Sequence, residues 1–318
     1  MNNLKKIGLT ALAGSLVATS VAYSGELAVS GSAGMNFKNY SDSSTGKAVR
    51  MGNSVFFKGS GETDGGLNVN LSFELDQGTP AGDGPFDSHF VSVGNDTLGT
   101  LTVHGHGGSN SAAALDTTAA GDLWDNTLIN TTATASTRMA PLASKSGDNL
   151  MVYSLPTLVD GLAVAGSYQA ANTTGSGSTA FGATYSGIEG LSLSYGQGSS
   201  DDVKDIAGDQ TIMKASYAYG PITVAASNND FDHTTSTIDQ EVSSVSLSYT
   251  VSDQISVSYG EETIDRSGQT TDIEVNGVSI SYTSGGMTAS FAQVEAENVD
   301  HTAGLDKEVW NIGLSFAF

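Results

Sequence analysis

The sequence is short of cations and has no cysteine at all. It carries 12 lysines and arginines against 34 acids, a formal charge of −22. That sign excludes nucleic acid as a partner, because binding a phosphate backbone needs a surplus of basic groups. Without cysteine there is no disulfide framework. Small exported domains often rely on one, a long chain with a continuous hydrogen-bonded ladder does not need it, and the absence fits a soluble or a membrane fold. The five histidines come with no G-x-S-x-G motif, which leaves no nucleophile–base–acid set of the hydrolase kind. Beyond the N-terminus no apolar run approaches the ~20 residues that a membrane-spanning helix requires. No helical period is evident either. Glycine, by contrast, is abundant at 39 residues, and with serine, threonine, asparagine and aspartate it suits a chain of strands and turns.

The N-terminus "MNNLKKIGLTALAGSLVATSVAYSGE" sets Lys5 and Lys6 before an apolar run from Ile7 to Ala18, then small residues around Ala22. That is the order of a secretory signal peptide, and the run is too short for an anchor. We divide the chain into a signal peptide over 1–22 and one domain over 23–318. Removing the two lysines makes the remainder more negative still.

What the rest contains is alternation. In "SVSLSYTVSDQISVSYG" (244–260), Val245, Leu247 and Tyr249 alternate with Ser246 and Ser248. After "SDQ", Ile255, Val257 and Tyr259 alternate with Ser256 and Ser258. Period two across a tight polar connection is a hairpin with one apolar and one hydroxyl face. In a soluble sandwich the apolar face would be inside; in a membrane barrel it would face lipid and the serines would line water.

Connection lengths choose between them. About sixteen strands can be marked, near 26–37, 50–60, 67–76, 87–94, 99–106, 149–156, 161–170, 178–186, 190–198, 210–219, 222–230, 241–251, 255–263, 272–283, 287–297 and 308–318. Short turns such as "GP" (220–221) and "SDQ" (252–254) alternate with longer loops. That predicts an all-β, transmembrane antiparallel β-barrel with short periplasmic turns and long outer loops. Tyr185, Tyr217, Tyr219, Tyr249, Tyr282, Phe316 and Phe318 recur at the short-turn end, as an interfacial girdle would. A barrel this wide leaves an aqueous channel.

The C-terminal "EVWNIGLSFAF" puts Trp310, Ile312, Leu314, Phe316 and Phe318 in one phase. This closing strand resembles that of bacterial outer-membrane barrels, which implies reading by the barrel-insertion machinery. One connection, 107–148, is exceptionally long, and its apolar Leu123 and Trp124 argue that it folds inward. Taken together, the signal peptide, "LGTLTV" before this third loop, "AAGDLWDNTL" within it, "VYSLP" after it and the terminal Phe resemble a Gram-negative general porin. The likeness is to the sixteen-stranded alphaproteobacterial type. The resemblance implies a homotrimer in outer-membrane lipid and lipopolysaccharide, passive diffusion of small hydrophilic solutes, and a third loop that narrows the barrel.

It also implies loop acids facing basic wall residues. The acids here are Asp116, Asp122 and Asp125. For the wall, strand parity points Arg50, Lys58, Lys38 and Lys214 into the lumen. His104 and His106 share a face at i, i+2 and line the pore; no third ligand follows, so no metal is assigned. The excess acid, as in "DDVKDIAGD" (201–209) and "EETIDR" (261–266), is placed in outer loops. There it is either solvated charge or a set of Ca²⁺ ligands bridging to lipopolysaccharide, and it favours cations near the mouth. No cofactor is otherwise implied. A substrate-specific channel would need a row of inward aromatics, which parity does not reveal. A surface adhesin would need neither the terminal pattern nor the alternating loops.

Overall fold

The computed structural model describes residues 25–41, 46–76, 86–125, 148–171, 177–201, 207–234 and 239–318. The segment assigned to the signal peptide lies outside them. Sixteen strands follow in chain order, the first eight being β1 (Glu26–Tyr40), β2 (Lys47–Glu62), β3 (Asn68–Asp76), β4 (Ser88–Asn95), β5 (Gly99–His106), β6 (Leu150–Ser154), β7 (Leu162–Gln169) and β8 (Ser178–Ile188). The remaining eight are β9 (Leu191–Ser200), β10 (Gly208–Tyr219), β11 (Ile222–His233), β12 (Gln240–Ser252), β13 (Ile255–Arg266), β14 (Ile273–Ser284), β15 (Met287–Glu297) and β16 (Lys307–Ala317). Each pairs antiparallel with its sequence neighbours, and β1 pairs with β16 to close the barrel. Closure leaves no free sheet edge, the one way a sheet can satisfy its whole backbone in a bilayer.

The hairpin at 244–260 settles which face is inside. Leu247 pairs with Tyr259 and Tyr249 with Val257, and all four side chains point outward and are exposed. Ser248 pairs with Ser258 on the other face. There the hydroxyls bond one another in rows, Ser258 to Ser279 at 2.7 Å and Ser256 to Ser281 at 2.8 Å. The same parity holds round the barrel. Leu27, Val29 and Met35 on β1, Val49 and Met51 on β2 and Ile312 on β16 are outward and exposed. Tyr217, Tyr219, Tyr249, Tyr282, Phe316 and Phe318 form an exposed band at the short-turn end.

Two features depart from simple alternation. Towards the loop end the lumen is not paved with hydroxyls. Tyr40, Val242, Ile264, Ile273, Val275, Val294, Ala296 and Val309 make an inner apolar cluster, with Leu123 and Trp124 of the third loop packed against it. Fully burying each Ile or Val is worth ~1.5–3 kcal/mol, so this cluster is a real anchor for whatever covers it. Further, "EETIDR" belongs to β13 and not to a loop. Its Glu261 and Asp265 pair with outward Val245 and Glu241, so they face outward at the rim.

Candidate functional site

The third loop leaves β5 at Gly107 and is described to Asp125. It enters the barrel and runs along the inner wall. Ser111 donates its N–H to Ser167 Oγ of β7 at 2.9 Å. Further on, Lys214 of β10 donates to the Thr117 carbonyl at 2.7 Å, and Asn229 of β11 donates to that of Asp116. The N–H of Ala119 bonds Ser227 Oγ at 2.8 Å, that of Ala120 bonds Ser244 Oγ at 2.9 Å, and Ser246 donates back to the Ala119 carbonyl at 2.7 Å. The loop therefore crosses β7 to β12 as an added layer whose backbone groups are satisfied by inward hydroxyls and amides. Room for it comes from inward glycines. A side chain at Gly182 would run into the Ser111 carbonyl, and a Cβ at Gly260 would lie 2.6 Å from that of Ala120.

The path ends on Glu262 of β13, whose side chain is turned inward and only 2 % exposed. Its carboxylate accepts from Leu123 N at 3.0 Å, Trp124 N at 2.9 Å and the Thr118 hydroxyl. Three donors from one loop on one carboxylate are strong, charge-assisted bonds. Sequence reasoning missed Glu262. The available signal was an acid at inward parity two residues after an inward glycine.

The predicted acids fall as follows. Asp116 sits partly buried beside Asp122 and Lys214, and burial, then the Asp122 charge, raise its pKa to about 6. Asp122 adopts a left-handed backbone (φ 56°). Its carboxylate accepts the Thr118 N–H at 2.9 Å while its own N–H bonds Thr118 Oγ1 at 2.8 Å, so it also shapes the loop. Asp125 closes the 3-10 turn Leu123–Asp125; its side chain lies outside the described residues.

Among the predicted cations, Arg50 and Lys58 share the lumen face of β2. Arg50 pairs with Asn36 and Lys58 with Ala28, both inward positions of β1. Lys38, paired with Ala48, follows the same parity. With sixteen strands in the ring, β2 stands opposite β10, across the lumen from the loop. Lys214 is inward as expected, but the structure corrects its place. It grips the loop from behind on the acids' own side.

His104 also points inward, against Phe90 with ring centroids 5.4 Å apart. His106 does not share that face. A register irregularity at His89/Phe90 pairs His106 with His89, whose ring stacks on outward Phe73. The extra residue of a bulge flips every later side chain. His106 instead meets Asp148 at 2.6 Å, joining the two ends of the third loop.

At the C-terminus Trp310, Ile312, Leu314, Phe316 and Phe318 keep one phase, with Ile312, Phe316 and Phe318 exposed outward. Phe37 packs on Trp310 with centroids 5.4 Å apart. Phe318 exchanges two backbone bonds with Gly31 at 2.7 and 2.9 Å.

No curated protein sequence matches the chain at a significant level. Among solved structures it resembles the anion-selective porin from Comamonas acidovorans at 15 % identity and a TM-score of 0.68, covering 92 % of this chain and 100 % of that one. OmpT, an outer membrane protein of Vibrio cholerae in its trimer form, gives the same identity and TM-score over 92 % and 99 % of the two chains. A mutant of the Rh. blastica porin follows at 14 % and 0.67, over 92 % and 100 %. These likenesses show the fold. The model of the Gram-negative porins matches residues 8–302, and the chain therefore belongs to that family and forms an outer-membrane β-barrel channel.

Proposed function

We propose that the protein is a water-filled outer-membrane channel through which small hydrophilic solutes and ions diffuse passively, with a modest preference for cations. One observation carries this reading. The described part of the third loop, 107–125, lies inside the barrel along the wall from β7 to β13 and narrows the lumen. Asp116 and Asp122 then stand across the opening from Arg50 and Lys58, which sets a transverse field in a confined space. The fold does not fix the sign of selectivity, since the Comamonas neighbour is described as anion-selective. The support for cations is this chain's own charge of −22. On the same reading the leader over 1–22 exports the chain, the terminal strand from Trp310 to Phe318 addresses it to the insertion machinery, and three copies assemble in lipopolysaccharide-bearing membrane. The test is single-channel conductance of the refolded protein in planar bilayers, with reversal potential in a KCl gradient. Steps closing in threes and a cation-favouring potential reduced by Asp116→Asn are expected. A verified folded barrel that does not conduct would overturn the reading.

A further inference from the structure

The wall of β2 to β5, opposite the described part of the loop, is not a plain hydroxyl surface. Ser30 pairs with Phe56 and Ala28 with Lys58, so the ring and the ammonium both face the lumen from β2. Lys58 pairs in turn with Ser72, Ser72 with Phe90, and Phe90 with His104. Four large inward groups thus surround one small residue, and Ser72 beneath them is only 6 % exposed. The Lys58 ammonium stands 5.4 Å from the centre of the Phe56 ring. Among the described residues no carboxylate pairs with it. The inward acids nearest in register are Glu26 of β1, which faces Ser60, and Glu74 of β3, which faces Phe56 and is already held by Ser54 and Ser88, each at 2.8 Å.

An unneutralised ammonium flanked by aromatic rings suits a particular ligand. The cation grips an anionic group, and the rings offer stacking or edge contacts to another flat ring. A polyol is poorly served, because the hydroxyls of Ser54 and Ser88 are spent on Glu74 and that of Ser72 is covered. We propose that Lys58, Phe56 and Phe90, backed by His104, form a lumen subsite for small aromatic carboxylates. This rests on the channel reading only for the route by which such a solute arrives. It would make the pore a selective path for one solute class within a general one.

Two measurements separate the subsite from the channel. In planar bilayers, potassium benzoate or potassium acetate is added to KCl, and current is normalised to each variant's own KCl conductance. Benzoate should reduce current at about three- to tenfold lower concentration than acetate, the advantage that one aromatic contact gives. Phe56→Ala and Phe90→Ala should bring benzoate to the acetate level, and Lys58→Met should weaken both. Saturation-transfer NMR of benzoate on the refolded barrel needs no conduction; ring signals lost in Lys58→Met support the subsite even if the channel reading falls. Equal effects of benzoate and acetate, or benzoate effects unchanged in all three variants, would overturn the proposal. So would stronger block by gluconate than by benzoate.

Discussion

Trp124 donates its backbone N–H to Glu262 at 2.9 Å, which ties the far end of the third loop's described path to the barrel wall. Leu123 and Thr118 use the same carboxylate. The wall therefore holds the loop through one carboxyl side chain as well as through scattered serines. Glu262→Gln keeps the shape but places an NH₂ group where a donor must be accepted. Bonds to a charged group are worth ~1.5–3 kcal/mol. Hydrogen exchange at the Leu123 and Trp124 amides should rise about ten- to hundredfold, with the barrel ladder unchanged. Unaltered exchange at both amides would show that the serine contacts suffice.

Asp116 makes the constriction sensitive to pH. Burial first, and Asp122 next, raise its pKa to about 6, with Lys214 opposing them. Ionised above that value and neutral below, it withdraws one negative charge from the lumen as pH falls. Cation preference in a KCl gradient should decline between pH 7.5 and 5 with a midpoint about 6, and Asp116→Asn should flatten that step. Stability runs the opposite way and rises as pH falls. The folded state binds the proton more tightly than the unfolded chain, so this group's destabilising effect is full above about pH 6 and is relieved as pH falls through that value. A reversal potential flat from pH 7.5 to 5 in the parent protein would refute this assignment.

Outside the barrel the rim carries opposed acids. Glu241 pairs with Asp230 on one side and Asp265 on the other, while Asp209 meets Asp232 and Glu295 meets Glu308. Like charges directly across a sheet are unfavourable by ~0.2–1 kcal/mol per pair. Glu241→Gln removes two such pairs and keeps an oxygen for the Asn228 amide, which bonds it at 2.5 Å. The variant should unfold at a higher temperature than the parent in low salt. The gap should shrink in 0.5 M NaCl, where screening is short-ranged. A lower midpoint for the variant would mean that the Asn228 bond outweighs the repulsion.

The sixteen strands were legible because period two persists over strands of five to sixteen residues and the turns recur at one end. Parity alone placed Arg50 and Lys58 in the lumen. It failed for His106, since a bulge leaves no mark in the order of side-chain types. Lys214 was placed on the correct face, but which strands the loop would cover depends on glycines and serines that look like ordinary strand residues. The inner cluster was hidden by phase. Val242 and Val245 lie three apart, so one reads as a break in the other's alternation when both are strand residues on opposite faces. Phe56 was masked likewise, lying between outward Val55 and Phe57 in an unbroken apolar run.

The last strand gives a prediction that separates folding from delivery. Phe318 is 74 % exposed, so its ring contributes little internal packing, whereas its backbone closes the seam with Gly31. Phe318→Ala retains both backbone bonds. Refolded in detergent, the variant should keep a stability within about 0.5 kcal/mol of the parent, the range usual for exposed positions. In cells, if the terminal aromatic is read during insertion, its outer-membrane yield should fall several-fold while the unassembled form accumulates. Deleting Phe318 altogether removes the seam bonds as well and should lower the melting point in addition to the yield. A Phe318→Ala variant that reaches the membrane normally would leave the aromatic with an interfacial role only, and would shift the assembly signal to the phase set by Trp310, Ile312 and Leu314.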